Sequence, residues 1–388
     1  MKILIFTTTL HKVGGRERLS VEMSVELNRL GYRADLLSLY ANDIDGVSKA
    51  HEELVAFGVK EIHYLGLSIN PSFISVLKSL FRFRKLLLNK DYNAVEVSGF
   101  TPSLIAAIGS IGLKKKILVG LHEHYHKSRH SGFRYLIWRR VLASSQRVRF
   151  YAISQSVATA WIIFSNTDFR RTSILYNSIN NDYFNLVPLQ NARDATRRNL
   201  EFISTDILIV FVGRLVISKG IDIVFDAVKQ LLINNTNYHL LFVGREDDSE
   251  GPRDAICLRN IKAEISDAKL GNRVHWLGDR LDVPKIMAAC DLLVHPARIE
   301  GFGLILAEAL AVGLPIVASN VGGIPEVLAG TDSLMVPKHD PCAFEDAVGS
   351  VLARSQIIAL QAINNGKNRA EAFRTEKRAR ALVALLQS

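Results

Sequence analysis

Two carboxylates, Glu300 and Glu308, bracket the turn Gly301-Phe302-Gly303-Leu304. The apolar run from Leu304 to Val312 reads as a helix that stops at Gly313-Leu314-Pro315. The start of a helix attracts phosphate, because its first N–H groups lack intrahelical partners and carry the positive end of the dipole. Gly301 and Gly303 let the backbone turn sharply and pass close to a ligand. Glu300, at the mouth of that turn, can accept hydrogen bonds from sugar hydroxyls. This single stretch is therefore expected to hold both sides of a sugar–phosphate linkage.

A second cluster lies upstream. Gly213-Arg214-Leu215 and Ser218-Lys219-Gly220 follow an apolar strand, at the carboxyl end where open α/β sheets bind ligands. Arg214, as a bidentate fork, and Lys219, as a point charge, are suited to neutralise a diphosphate leaving group; two solvated loop charges are the plainer alternative. Gly14-Gly15 occupies the equivalent place in the first half, between a strand and the amphipathic helix Arg16–Leu30, and would let a phosphate or sugar approach the helix start. A plain tight turn explains these glycines equally well. His122-Glu123-His124-Tyr125-His126 follows the strand Ile117–Gly120. The histidines alternate, but no cysteine is near and no helical His-x-x-x-His spacing exists, so no metal site is expected. His122, the first of them to leave the strand, is placed to contact a reacting sugar. Gly244 closes the strand His239–Val243 and could approach a ligand. Gly322-Gly323 and Glu326 form another strand-to-helix turn, where capping alone would account for the glutamate. Asp43-Ile44-Asp45 has the spacing of a metal-clamping pair but reads as an exposed polar loop.

The elements that must carry these residues alternate along the chain. Ile3–Phe6, Arg33–Ser38, Ala94–Val97, Ile117–Gly120 and Arg149–Ile153 read as strands of one parallel sheet. Ile207–Val212, His239–Val243, Val274–Trp276, Leu292–Val294 and Ile316–Ala318 read as strands of a second. With 388 residues and 48% apolar content the chain is long enough for two such domains. The boundary is set at 187/188, in the less apolar stretch Val187–Thr205, and two domains facing across a cleft would bind a ligand between them. Three scattered cysteines, Cys257, Cys290 and Cys342, show neither disulfide nor metal spacing and fit a reducing compartment. No apolar run reaches transmembrane length, and the N-terminus reads as a first strand, not a signal peptide.

Taken in order, the motifs resemble the retaining GT-B glycosyltransferases of family 4. The matching text is Gly14-Gly15, His122, Gly213-Arg214 through Lys219-Gly220, Leu277-Gly278, Ala289-Cys290-Asp291, Glu300 to Leu304 with Glu308, and Gly322-Gly323 with Glu326. The resemblance implies an α/β GT-B architecture of two Rossmann-like domains, with a nucleoside-diphosphate sugar held mainly by the second. Arg214 and Lys219 would hold the diphosphate, and Glu300 the hydroxyls of the donor sugar. Backbone at Phe302, Gly303 and Leu304 would touch sugar and phosphate, Glu308 the ribose, backbone near Arg280 the base, and His122 the donor sugar and acceptor. It also implies no obligatory metal or other cofactor, a UDP- or GDP-sugar as donor, and a last helix, from about 370 to 388, returning to the first domain. Two departures stand out: Asn177-Ser178-Ile179-Asn180 replaces the family's Asn-Gly-Val-Asp, and Arg245-Glu246-Asp247 replaces a further glycine after Gly244.

Charge points to the acceptor. Residues 1–185 hold 25 basic and 14 acidic side chains, whereas the remainder holds 23 and 24. Ser72–Lys90 reads as a basic amphipathic helix, and with Lys114-Lys115-Lys116, Arg129, Arg134, Arg139 and Arg140 it would face the anionic inner leaflet of a cytoplasmic membrane. The expected enzyme is cytoplasmic and peripheral, acting on a glycan or lipid-linked acceptor of cell-surface polysaccharide or lipopolysaccharide. An ordinary helix with a solvated basic face is the alternative. Two rival functions are a GT-B nucleotide-sugar epimerase, which needs no acceptor, and a basic nucleic-acid-binding protein. The latter is disfavoured because aromatic-rich binding motifs are missing, so no nucleic-acid partner is expected.

Overall fold

Strands such as Ile207-Leu-Ile-Val-Phe-Val212 are apolar without alternation, the pattern required when helices cover both faces of a parallel sheet. The computed structural model describes residues 1–10, 15–40, 47–68, 71–125, 132–143, 147–165, 172–180, 189–247 and 251–388. Gly14 and the Asp43/Asp45 pair lie outside the described residues, as do His126 and Arg129. The chain forms two units, one of Met1–Ser178 with Thr375–Ser388, the other of Ile179–Arg374. The division falls at Ser178/Ile179, inside the Asn177–Asn180 segment and nine residues before the boundary read from composition. Ser178 needs no glycine there: among the described residues the left-handed non-glycine positions are Asp91, Glu201, Lys269 and His339.

Unit 1 is a seven-stranded parallel sheet: β1 (Lys2–Thr7), β2 (Arg33–Tyr40), β3 (Ile62–Leu67), β4 (Ala94–Ser98), β5 (Lys116–Leu121), β6 (Val148–Ala152) and β7 (Thr172–Ile174). Its order is β3-β2-β1-β4-β5-β6-β7. Helix α1 (Gly15–Arg29) follows β1, and α3 (Phe73–Asn89) starts at Ser72, whose hydroxyl accepts from the Ser75 N–H at 3.2 Å. The final helix, α15 (Thr375–Gln387), packs against α1.

Unit 2 is a six-stranded parallel sheet of β8 (Ile207–Val212), β9 (Tyr238–Val243), β10 (Val274–Gly278), β11 (Leu292–His295), β12 (Ile316–Ser319) and β13 (Leu334–Val336), in the order β10-β9-β8-β11-β12-β13. Strand order reverses between β8 and β11, which makes the space beyond their carboxyl ends the topological switch point. Helices α7 (Leu189–Asn199), α8 (Ile221–Asn234) and α11 (Leu304–Val312) surround the sheet. Asp291 joins α7 to it: its carboxylate meets Arg193 at 2.6 Å and Arg197 at 2.8 Å and accepts from the Leu208 N–H at 2.7 Å. Although Asp291 belongs to the family-like text, its three partners give it a structural task. Periodicity did not reveal β3, β7 and β13, all edge strands: β7 and β13 have only three residues each, and β3 is interrupted by His63 and Tyr64.

Candidate active site

At the switch point two loops converge. The first leaves β8 through Gly213, continues into a 3₁₀ turn at Ile217–Lys219 and enters α8 at Gly220. The second leaves β11 after His295 and enters α11 at Leu304. Gly220 has φ +79°, and a Cβ there would stand 2.2 Å from the Pro296 carbonyl oxygen, so only glycine permits this approach. Arg298 fastens the loops further. Its N–H donates to Ser218 O at 2.9 Å, its guanidinium donates to Ile217 O, and it forks onto Asp222 at 2.6 and 2.8 Å. The Ile217 N–H in turn donates to buried Asp254 at 2.7 Å.

These constraints bring Lys219 Nζ within 2.7 Å of Glu300 Oε2, while His295 Nε2 lies 3.3 Å from the same oxygen. Toward a carboxylate His295 must donate, so its hydrogen is on Nε2; its Nδ1 is buried and meets no partner among the described residues. Burial pushes the Glu300 carboxyl up, but the Lys219 charge and the hydrogen bonds from His295 and Lys219 outweigh it and hold the group well below the usual carboxylate range. Both partners fall on Oε2, which leaves Oε1 for the hydroxyls of a ligand.

Gly303, at φ +92°, caps α11, and the turn before it is braced by the Gly323 N–H donating to Glu300 O at 3.1 Å. Leu304 is the first residue of the helix, so the amide tip of α11 and Glu300 belong to one loop. Phe302 is buried, edge-on to Phe373 with ring centroids 5.4 Å apart, and anchors that loop. Glu308 is buried in the second turn of α11.

The other predicted residues are placed as follows. Arg214, after β8, pairs with Asp247 at 3.3 Å; Arg245 is 3.7 Å from the same oxygen. The Arg-Glu-Asp departure thus supplies Arg214 with an anion. Gly213 and Gly244 end β8 and β9, with the Gly213 carbonyl oxygen 2.0 Å from where a Cβ of Gly244 would stand. Arg280 is exposed after β10 and forks onto Asp282 at 2.8 Å. Gly15, in unit 1, is the first residue of α1. His122 follows β5, also in unit 1, and its Nε2 lies 3.0 Å from Ser98 Oγ and 3.1 Å from Tyr151 OH. Lys219, Glu300 and the α11 tip are therefore brought together, whereas Arg280 lies beyond another strand and Arg214 is held by its own acid. His295 and Arg298 were not read from the sequence, and Asp247 was noted only as part of a departure from the family's pattern. Only the position of His295 at a strand's carboxyl end, five residues before Glu300, could have signalled any of them.

Comparisons with known proteins bear on the family and the fold. Residues 13–183 match the model described as Glycosyltransferase Family 4, and residues 192–369 match Glycosyl transferases group 1. The lipopolysaccharide core biosynthesis mannosyltransferase LpsB of Rhizobium meliloti is 31% identical over 179 residues, 45% of this chain and 50% of that protein. A GDP-mannose-dependent monoacylated alpha-(1-6)-phosphatidylinositol monomannoside mannosyltransferase of Corynebacterium glutamicum is 31% identical over 157 residues, 38% of each chain. The match thus spans half or less of these relatives. In fold, the chain superimposes along its full length on all of Anabaena Alr3699/HepE, crystallised with UDP, at a TM-score of 0.81 and 20% identity. The chain belongs to family 4 of the GT-B glycosyltransferases.

Proposed function

We propose that this enzyme moves a sugar from a nucleoside-diphosphate sugar to a glycan or lipid-linked acceptor, with retention at the anomeric carbon and without an obligatory metal. The observation that carries the reading is the 2.7 Å contact between Lys219 and Glu300 beside the α11 tip, at the switch point of the unit 2 sheet. Breaking the anomeric C–O bond sends negative charge onto the diphosphate. Lys219, Arg214 and the first amides of α11 are the groups that would stabilise it. Glu300 would position the sugar through its hydroxyls. Its ion pair with Lys219 and its bond from His295 make it a poor nucleophile, so a front-face displacement, with a donor phosphate oxygen taking the acceptor proton, fits better than a covalent glycosyl-enzyme. Glu308 would take the ribose, and the loop at Arg280 the base. UDP and GDP both remain candidates: the Anabaena structure holds UDP, and the Corynebacterium relative is named as GDP-mannose-dependent.

The acceptor reading rests on α3. Its buried side is Ser79, Phe83 and Leu87. The opposite side exposes Ile74, Leu77, Phe81 and Leu88, with Phe81 69% exposed, and carries Lys78 and Lys85 among them. A large apolar stripe flanked by lysines is suited to lie in an anionic membrane surface. Among the described residues no helix is long and apolar enough to cross a membrane, so the proposed association is peripheral, on the inner face. Two relatives named for lipopolysaccharide core and phosphatidylinositol mannoside support a lipid-linked acceptor. The test is a thermal-shift screen of nucleoside diphosphates and their sugars, followed by proton NMR of the hits during turnover. Release of a sugar with its anomeric configuration kept supports the proposal. A sugar that changes configuration while still on the nucleotide would replace transfer by epimerisation.

A further inference from the structure

β4 reads Ala94-Val-Glu-Val-Ser98, and its glutamate sits where an apolar side chain would be expected. Glu96 is buried, so its carboxylate must be hydrogen-bonded. Its Oε1 accepts from Tyr151 OH at 2.6 Å and from Ser98 Oγ at 3.2 Å. The same two hydroxyls are the ones that meet His122 Nε2. Sheet register explains the meeting. Ser98 pairs with Gly120 and Gly120 with Tyr151, so the three stand in one row, with His122 two residues beyond Gly120 on the same face. A Cβ on Gly120 would lie 2.5 Å from Tyr151 OH and 2.6 Å from His122 Nε2. Glycine is required there because the network passes through the space a side chain would fill.

Hydrogen counting fixes the direction of the Tyr151 bond, and the Ser98 hydroxyl donates to Glu96 Oε1. Tyr151 has one hydroxyl hydrogen. Burial and the Glu96 charge push its phenol up, so it stays a donor. Arg378, from α15, approaches Tyr151 OH at 3.4 Å and can only donate. The Tyr151 hydrogen therefore goes to Glu96, and the Ser98 hydrogen goes to the same oxygen. Nε2 of His122 then faces oxygen lone pairs from both sides and must itself carry a hydrogen. Burial pushes the Glu96 carboxyl up, but a proton on Oε2 leaves this polarity unchanged, because both hydroxyls fall on Oε1.

We propose that Glu96, acting through Tyr151 and Ser98, is a positioning residue that locks neutral His122 in the Nε2–H tautomer. A substrate hydroxyl reaching Nδ1 would then meet a lone pair, so His122 would serve as an acceptor. That last consequence rests on the transferase reading above; the tautomer does not.

The test is two-bond proton–nitrogen correlation NMR on the full chain with ¹⁵N-histidine, near pH ~7.5, where an ordinary histidine is neutral. The His122 signals are assigned by their loss in His122→Asn. A pyridine-type Nδ1 and a pyrrole-type Nε2 are expected. The reverse pattern in the wild-type protein overturns the proposal, with no variant and no substrate needed. Glu96→Gln, whose carbonyl can replace Oε1, should keep the tautomer; Glu96→Leu frees the Tyr151 hydrogen to turn toward Nε2 and should shift it. An unchanged tautomer in folded Glu96→Leu would also refute the lock. If the tautomer is as expected but no sugar is turned over, it is the functional reading that fails.

Discussion

Replacing Lys219 by methionine keeps the side chain's stem and deletes its charge, and the structure sets the size and the pH dependence of the effect. Breaking a buried ion pair by removing one partner costs about 3–5 kcal/mol. Lys219 keeps 23% side-chain exposure and Glu300 13%, which places this pair at the lower end, about 3 kcal/mol at neutral pH. For a unit of this size 1 kcal/mol moves Tm by about 2–4 °C, so a fall of about 6–12 °C is expected. Burial pushes the Glu300 carboxyl up, yet Lys219 and His295 hold it below its ordinary value near 4.5. A carboxyl depressed on folding contributes its full stability above the unfolded value, and that stability is lost as pH falls through the depressed folded value. In Lys219→Met burial is opposed by His295 alone, so the carboxyl rises and the variant loses stability as pH climbs above the unfolded value. The gap between wild type and variant should therefore be full at pH ~7, narrow progressively below pH ~5 and close only as pH falls through the depressed Glu300 value. Thermal unfolding across that range measures it. Glu300→Gln added to Lys219→Met should recover most of the loss at neutral pH, because an amide needs no cation. A gap independent of pH, or a double variant no better than the single, would refute the reasoning.

Asp291→Ala removes the shared partner of Arg193 and buried Arg197; it should lower the unfolding free energy by about 3 kcal/mol in urea titration while leaving nucleotide affinity within about twofold of wild type. Gly220→Ala meets both a left-handed φ and the Pro296 carbonyl, so it should destabilise unit 2 by more than ~1 kcal/mol and weaken binding of nucleoside diphosphate, read by calorimetry. Phe81→Asp on α3 should abolish flotation with anionic liposomes without changing Tm by more than a degree or two, since Phe81 is exposed; binding that survives would remove the membrane from the account. Cys342, exposed, should react with a thiol reagent in minutes, whereas Cys290 is buried and Cys257 has its thiol pushed up to about 11 by burial, so both should resist.

Much of this was legible because parallel strands buried on both faces announce themselves. β8 and β9 were placed to within a residue, and Gly313-Leu-Pro315 marked the end of α11, where Gly313 does adopt φ +77°. Loop residues after strands were legible for a related reason: in an open α/β sheet their position relative to a strand's carboxyl end is fixed by topology. What failed to show were partnerships. That Asp247 would take Arg214, or that Arg298 would bind Asp222 and the Lys219 turn, depends on loop paths with no period to read. Glu96 was overlooked inside a strand that was itself found. A carboxylate among valines demands a buried donor, and Tyr151 lies more than fifty residues away.

The central claim is that unit 2 grips a nucleoside diphosphate by its phosphates through Lys219, Arg214 and the tip of α11. Calorimetric titration of UDP, GDP, UMP and GMP into wild type and into Arg214→Ala/Lys219→Ala tests it most directly. One diphosphate should bind the wild type at least ~10-fold more tightly than its monophosphate, and this preference should vanish in the double variant, a loss of about 1.4 kcal/mol or more. A double variant that still prefers the diphosphate by the same factor would contradict the account.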